Sequence, residues 1–365
     1  MRLPTRNGEV NADEAVRMLR YAINHGVNYC DTAFGYHGGN SERVLGLALR
    51  DGYRERVRVA TKLPCWLINS PDDFDKHLDI QLERLGTGYV DFYLLHALNR
   101  NQWMHMRDLG VIPWAESAIR DGRIQHLGFS FHDNTEAFKE IVDAYDGWTL
   151  AQIQYNFMDV ENQAGTEGLR YAASKGLAVV IMEPLLGGRL SNPPDEIRAL
   201  WASGSPTRSP VEWALRWLWD QPEVSVVLSG MSAMRHVEEN VVYADRSGVG
   251  AMSEAERALV ANVRQRYANL APIACTTCGY CMPCPNGLDI PRNFELFNTG
   301  KTWNALGDVR GRYRQLDEKA RASACQDCDE CEEVCPQSLP ISDWMPIVHA
   351  VLGEGEPYGR EPTHG

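Results

Sequence analysis

The chain has no run of about 20 apolar residues, so neither a membrane-spanning helix nor a membrane partner is expected. It does not open on a basic segment followed by an apolar stretch, so nothing directs it to an oxidising compartment, and the expected location is cytoplasmic. It lacks a surplus of cations: 36 Lys and Arg against 49 Asp and Glu leave a formal charge of -13, which disfavours a nucleic acid partner. No G-x-G-x-x-G turn follows any strand-like run, so the usual mark of a doubly wound dinucleotide-binding sheet is missing. No low-complexity tract is visible, and no internal repeat beyond an alternation of helix and strand. With 365 residues and a hydrophobic fraction of 44%, the chain can hold one large domain and an appendage.

Cysteine is not scarce, and its placement is uneven. Eight of the ten fall in two bursts, Cys275, Cys278, Cys281 and Cys284, then Cys325, Cys328, Cys331 and Cys335, each ending in Cys-Pro. A disulfide framework does not suit a chain without an export signal. Zinc sites made of four cysteines usually pair two C-x2-C knuckles across a longer loop, whereas here each burst packs four sulfurs into one short stretch. The second burst, C-x2-C-x2-C-x3-C-P, resembles the cysteine run of bacterial ferredoxins, in which three thiolates grip one [4Fe-4S] cluster and the fourth reaches to its neighbour. The ferredoxin rule implies two [4Fe-4S] clusters, one on Cys275, Cys278, Cys281 and Cys335, the other on Cys325, Cys328, Cys331 and Cys284. Cys30 and Cys65 lie in apolar, strand-like surroundings and read as small core residues.

Up to about residue 245, short β-branched runs alternate with amphipathic stretches, the signature of a parallel α/β sheet. Strands are expected at 27–33, 57–63, 90–97, 124–130, 149–155, 178–183 and 224–229. Helices are expected at 13–24, 41–50, 72–85, 135–144 and 211–219, with turn signals at Asp121-Gly122 and Lys175-Gly176. The fold class is α/β: a (β/α)8 TIM barrel whose first strand is cut short at residues 1–4, followed by a small, mainly helical ferredoxin-like [4Fe-4S] domain. The boundaries expected are 1–250 for the barrel, 251–270 for a linking helix opened by a Ser253/Glu256 capping box, 271–345 for the cluster domain and 346–365 for a partly disordered tail. Between the bursts, 292–321 reads as largely helical. The expected natural start lies upstream of Met1.

Active sites of such barrels lie at the C-terminal ends of the strands, and three of those ends are telling. N-Y-C-D-T-A-F-G-Y places Asp31 and Tyr36 at one, V-A-T-K places Lys62 at the next, and D-F-Y-L-L-H places His96 at the third. Together they suit carbonyl reduction. A phenol is a poor proton donor unless a nearby cation favours its phenolate, which Lys62 can do while Asp31 keeps Lys62 charged. His96 would hydrogen-bond the substrate oxygen as charge develops there, and Tyr36 would deliver the proton.

These residues resemble the aldo-keto reductase family, and the match continues in order through G-F-S at Ser130, Q-I-Q-Y-N at 152–156, P-L-L-G-G at 184–188 and S-G-M-S to E-E-N at 229–240. Together with the cysteine bursts and the wording G-F-S-F-H-D and C-M-P-C-P, the whole is similar to the iron–sulfur branch of that family. The resemblance implies an oxidoreductase that binds NADP or NAD at the barrel top and passes hydride to or from a small carbonyl or alcohol. It implies that Ser130 and Gln152 hold the nicotinamide carboxamide, with Phe131 where Asn is usual and Met182 where a stacking aromatic is usual. For the adenine half it implies Ser232, Glu239 and Asn240. Arg235 is open to two roles, meeting a 2′-phosphate or standing solvated on a helix, and Met182 to two, covering the ring or filling core.

Clusters move single electrons, so an electron carrier of ferredoxin or flavodoxin type is a further expected partner. A second reading makes the chain an iron–sulfur electron-transfer or redox-sensing protein whose barrel is a non-catalytic docking body. Of the remaining histidines, His25, His37, His77, His105, His126, His132, His349 and His364 lack metal-ligand spacing; His132, just past Ser130, is the one placed for a site role.

Overall fold

The computed structural model describes residues 2–359 and 362. By its internal contacts the chain divides into two units, Met1–Gly187 with Val211–Arg257, and Gly188–Pro210 with Ala258–Gly365.

In the first unit a short antiparallel hairpin, β1 (Thr5–Arg6) and β2 (Glu9–Val10), leads into α1 (Ala12–Asn24). Seven parallel strands follow in sequential order: β3 (Tyr29–Asp31), β4 (Arg58–Leu63), β5 (Val90–Leu98), β6 (Ile124–Phe131), β7 (Leu150–Gln154), β8 (Ala178–Met182) and β9 (Val224–Val227). Helices α2 (Asn40–Ala48), α3 (Asp72–Leu85), α4 (Arg100–Asp108), α5 (Val111–Arg120), α6 (Thr135–Asp143) and α7 (Gly165–Ser174) intervene. The result is a nearly closed barrel of the TIM type, in which β3 and β9 each have one strand neighbour among the described residues. No strand forms at residues 2–4. Instead the Arg2 N–H donates to the Gly230 carbonyl beyond β9 (2.6 Å), and the Leu3 N–H to His37 Nε2 beyond β3 (3.0 Å), so this segment lies across the opening.

Strand period 2 sorts the core into two layers. Ala60, Leu94, Leu150 and Val180 form one cluster with Tyr29, Phe92, Ala178 and Val226, filling the barrel. Their neighbours Val59, Tyr93, Leu95, Ala151 and Val179 join the larger cluster with the surrounding helices. Strands buried on both faces read as near-continuous apolar runs, which is why they were legible. Gly128 is required inside: a Cβ there would stand 2.7 Å from the Leu150 carbonyl oxygen. Gly122 and Gly176, at φ of +77° and +82°, take the left-handed turns that return the chain to β6 and β8.

The segment 188–210, expected within the barrel, carries α8 (Asp195–Ala202) and groups with the second unit, where Glu196 pairs with Arg266. After α9 (Pro210–Trp219) and α10 (Met234–Asp245), α11 (Glu254–Ala268) starts on the expected capping box, with Glu256 N–H to Ser253 Oγ at 3.3 Å and Ser253 N–H to Glu256 Oε2 at 2.6 Å.

The rest of the second unit is helical around the cysteine loops. The stretch 292–321, expected to be largely helical, holds α12 (Ile290–Thr302) and α13 (Leu306–Arg314), separated where Asn304 takes φ of 50°. A single turn, α14 (Glu330–Glu333), and α15 (Ile341–His349) complete it. Within the tail, Arg310 donates to the Val351 and Glu356 carbonyls at 2.9 and 2.7 Å, and the Tyr358 hydroxyl to Phe297 O at 2.8 Å. Residues 360, 361 and 363–365, His364 among them, lie outside the described residues.

The two cysteine loops also repeat one backbone path, an internal repeat that the sequence reading did not find. Thr277 and Gly279 take φ of 53° and 78°, and Asp327 and Asp329, at matching places, 57° and 60°. After the fourth cysteine, Gly287 N–H bonds Cys284 O and Ser338 N–H bonds Cys335 O, both at 3.0 Å.

The α2–α3 contact gives a test of the barrel wall. A Cβ on Gly46 would lie 2.7 Å from the Leu85 carbonyl oxygen, whereas one on Gly88 would meet nothing within 4 Å. Gly46→Ala is expected to lose about 1–3 kcal/mol in urea unfolding, as overpacking does, with Gly88→Ala close to wild type.

Candidate functional site

The register that fills the barrel also builds its mouth. Asp31 continues the inward row of Tyr29, Lys62 that of Ala60, and His96 that of Phe92 and Leu94; Ser130 follows Gly128, Gln152 follows Leu150, and Met182 follows Val180. One period-2 rule therefore brings six candidates from six strands to the same end of the barrel.

Lys62 is fully buried, and its Nζ donates to both Asp31 carboxylate oxygens, at 2.7 and 2.8 Å, and to the Thr32 carbonyl at 2.8 Å. Burial opposes its charge, but Asp31 and then Tyr36 outweigh that effect, so the ammonium is held above its usual pKa. The Tyr36 ring lies 4.9 Å from Nζ and meets His96 edge-on at 5.8 Å between centroids. Burial, with the nearby Lys62 charge and then His132 adding to it, drives the His96 pKa down to about 3, so the imidazole is neutral at ordinary pH. Its Nδ1 is buried without a hydrogen-bond partner among the described residues.

The backbone is strained around this mouth. Ala97, in the last residues of β5, and Glu183, Leu186 and Met231, past the ends of β8 and β9, take φ of 55°, 55°, 49° and 39°. Non-glycine residues accept this region rarely, and such strain gathers where side chains must be aimed.

The expected dinucleotide contacts divide. Gln152 Oε1 is buried without a hydrogen-bond partner among the described residues, while its Nε2 approaches Met182 Sδ at 3.6 Å. Met182 is half-buried beside Gln152. Ser130 Oγ accepts the Ala97 N–H at 2.8 Å, which leaves its own proton to give. Phe131 faces away from this row, fully buried, its ring 5.0 Å from Phe138 on α6. Ser232 is exposed just before α10, whose N-terminus has no side-chain cap. Arg235 is exposed and 3.6 Å from Glu239, and Asn240 donates to Ser229 Oγ at 2.9 Å. His132 is solvent-exposed; its backbone N–H is tied to Leu98 O at 2.9 Å and its side chain hydrogen-bonds Gln163.

In the second unit the eight cysteines separate into two quartets. Cys275, Cys278, Cys281 and Cys335 line one open hollow; Cys284, Cys325, Cys328 and Cys331 line another. In each, the fourth cysteine of one burst crosses to the three of the other. Among the described residues no three His, Cys, Asp or Glu are placed to hold a single metal ion. Four thiolates around a hollow are the donor set of an iron–sulfur cluster.

A model of the aldo/keto reductase family matches residues 1–248, and one of a 4Fe-4S dicluster domain matches 274–339. The chain belongs to the aldo/keto reductase family. It is an oxidoreductase of the branch that carries an iron–sulfur domain. L-galactose dehydrogenase of Arabidopsis thaliana is 29% identical over 260 residues, 64% of this chain and 79% of that protein. The NADH-specific methylglyoxal reductase of Escherichia coli (strain K12) is 26% identical over 289 residues, 65% of this chain and 85% of that one. Among solved structures, the holo form of an aldo-keto reductase from Bacillus halodurans superposes with a TM-score of 0.59 at 25% identity, covering 72% of this chain and 91% of that one. An aldo/keto reductase from Klebsiella pneumoniae in complex with NADP and acetate gives 0.56 at 25% identity, covering 72% and 90%.

Two features of this reductase site escaped the sequence reading. Trp66, half-exposed on the turn after β4, lies 5.0 Å from His96 and walls the mouth; an aromatic four residues past Lys62 was the available signal. Behind Lys62 runs a buried polar network. Gln81 Nε2 donates to Lys62 O (3.1 Å), Glu42 Oε1 (2.7 Å) and Thr61 Oγ1 (2.9 Å), and Arg84 donates to Glu42 Oε2 and Phe34 O, both at 3.0 Å. Its members come from three separate elements, and no spacing in one sequence marks them.

The His96 geometry fixes a pH behaviour. Its pKa in the fold lies below the value of about 6.5 in an unfolded chain, so the unfolded chain binds the extra proton between the two. This contribution to stability is complete above about pH 6.5 and is lost as pH falls towards 3. The His96 ring proton signal in NMR is expected to hold its position from pH 8 to pH 5; a midpoint near 6.5 would contradict the site as described.

Proposed function

We propose that this aldo/keto reductase uses NADP or NAD to interconvert a small carbonyl compound and its alcohol, and that two [4Fe-4S] clusters serve it as an electron-transfer module. The observation that carries the first half is the fully buried Lys62, bonded to both oxygens of Asp31 directly beneath the Tyr36 ring. The dinucleotide, when bound, supplies or accepts the hydride at the substrate carbon. Tyr36 holds the proton that passes to or from the substrate oxygen, and the Lys62 charge favours the phenolate left behind. Neutral His96 offers a ring N–H to the same oxygen without competing for the proton.

Gln152 Oε1, an acceptor lacking a partner, suits the carboxamide N–H, and Ser130 has a hydroxyl proton for the carboxamide oxygen. The thioether of Met182 covers the ring face beside them. Ser232 and the open start of α10 suit a phosphate, with Glu239 and Asn240 beyond. NADP or NAD is decided by whether Arg235 leaves Glu239 for a 2′-phosphate.

The two cysteine quartets support one cluster each, kept reduced before assembly in the cytoplasm. Clusters pass single electrons and the dinucleotide passes pairs, so a carrier of the ferredoxin or flavodoxin type is the partner this arrangement calls for.

With anaerobically reconstituted protein, Tyr36→Phe is expected to lower carbonyl turnover by about 10²–10⁴-fold, with dinucleotide binding by fluorescence retained. Gln152→Leu should weaken that binding instead. Full turnover in Tyr36→Phe would exclude the role given to it, and retained cluster reduction without any dinucleotide binding would favour a docking barrel.

A further inference from the structure

The halves of the cluster domain are built alike up to the start of their helices, and there they part. After Cys284 the chain reads P-N-G-L-D-I-P, and after Cys335 it reads P-Q-S-L-P-I-S. Position by position, Asn286 matches Gln337, Ile290 matches Ile341, and Pro291 matches Ser342. Pro291 lines the hollow of Cys275, Cys278, Cys281 and Cys335; Ser342 lines that of Cys284, Cys325, Cys328 and Cys331. Proline offers neither an N–H nor a hydroxyl.

Ser342 is 5% exposed, and its Oγ has no hydrogen-bond partner among the described residues. Its backbone N–H donates to Glu332 Oε1 at 2.8 Å, which ties the start of α15 to the second cysteine loop and fixes the hydroxyl beside that hollow. A buried hydroxyl without a partner is disfavoured, and the acceptors a cluster would bring here are sulfurs. The amides do not distinguish the halves: Asn286, exposed, reaches Cys328 Sγ at 3.9 Å, and Gln337, also exposed, lines the other hollow.

We propose that the Ser342 hydroxyl donates to a sulfur of the cluster held by Cys284, Cys325, Cys328 and Cys331, and so makes the two clusters electronically unequal. The inference rests on the two-cluster reading above. A hydrogen bond to cluster sulfur disperses negative charge and favours the reduced state, which raises the potential. Asp327, Asp329, Glu330 and Glu333 beside the same cluster act in the opposite direction, but they are exposed and screened by salt. The hydroxyl is therefore read from its removal, not from the order of the two potentials.

Full-length protein reconstituted anaerobically is first analysed for iron and labile sulfide. About eight irons per chain keep the two-cluster reading, whereas four or none overturn that reading and this inference with it. Redox titration followed by EPR then compares wild type, Ser342→Thr and Ser342→Val, the last two alike in shape and different in the hydroxyl. Thr is expected to keep both potentials, and Val to lower one and leave the other. Ser342→Ala gives the same comparison should Val not load iron. Two unmoved potentials without the hydroxyl, or equal shifts of both, overturn the inference while leaving the clusters in place.

Discussion

The mouth of the barrel depends on one buried ion pair. An ammonium with no exposed surface, as Lys62 has, is tolerated only where a carboxylate and further acceptors replace its water, and Asp31 with the Thr32 carbonyl does so. The partners sit on adjacent parallel strands whose register sets Asp31 beside Ala60, two residues before Lys62 and on the same face. Tyr36 and His96 then take their places around a fixed positive charge. That charge reaches across the site: after burial, which is the larger cause, it helps hold the His96 imidazole neutral. The Glu42–Gln81–Arg84 network behind it also ties the Lys62 backbone, through the Gln81 amide.

Strand positions and the inward row of candidates were legible because the barrel strands are buried on both faces and keep strict alternation. The shortest elements were not. The β1–β2 hairpin has two residues in each strand and no apolar pattern to announce it. Phe131 illustrates a limit of another kind. One residue past Ser130, it belongs to the outward row, so a position that family comparison connects to the cofactor is here part of the packing against α6. The excursion at 188–210 also escaped, since its grouping with the second unit rests on contacts between residues far apart in the chain, such as Glu196 and Arg266.

The cysteines were the most legible feature of the chain, and the crossing of the fourth thiolate follows from how each loop is drawn. Thr277 and Asp327, in left-handed conformation, curl three sulfurs around one hollow, and the Cys-Pro turn then carries the fourth away to the other. The repeat was hidden because the loops share almost nothing else: one is uncharged from Cys275 to Cys284, while the other carries five carboxylates between Cys325 and Cys335. Backbone conformation kept a symmetry that side chains have lost.

That loss is itself informative about how the module can work. Ile290 and Ile341 each border both hollows, so the two quartets stand on either side of a common apolar wall. Nothing in the wall distinguishes one side from the other, because the residues that form it are the same. Direction in a pair of centres so placed must come from what lies outside the wall, namely surface charge and hydrogen-bond donors. In this chain both differ on the same side, the one built on Cys325, Cys328 and Cys331. On the two-cluster reading proposed above, a module assembled from a repeated loop has two distinct ends once one copy departs from the other at positions that line its hollow.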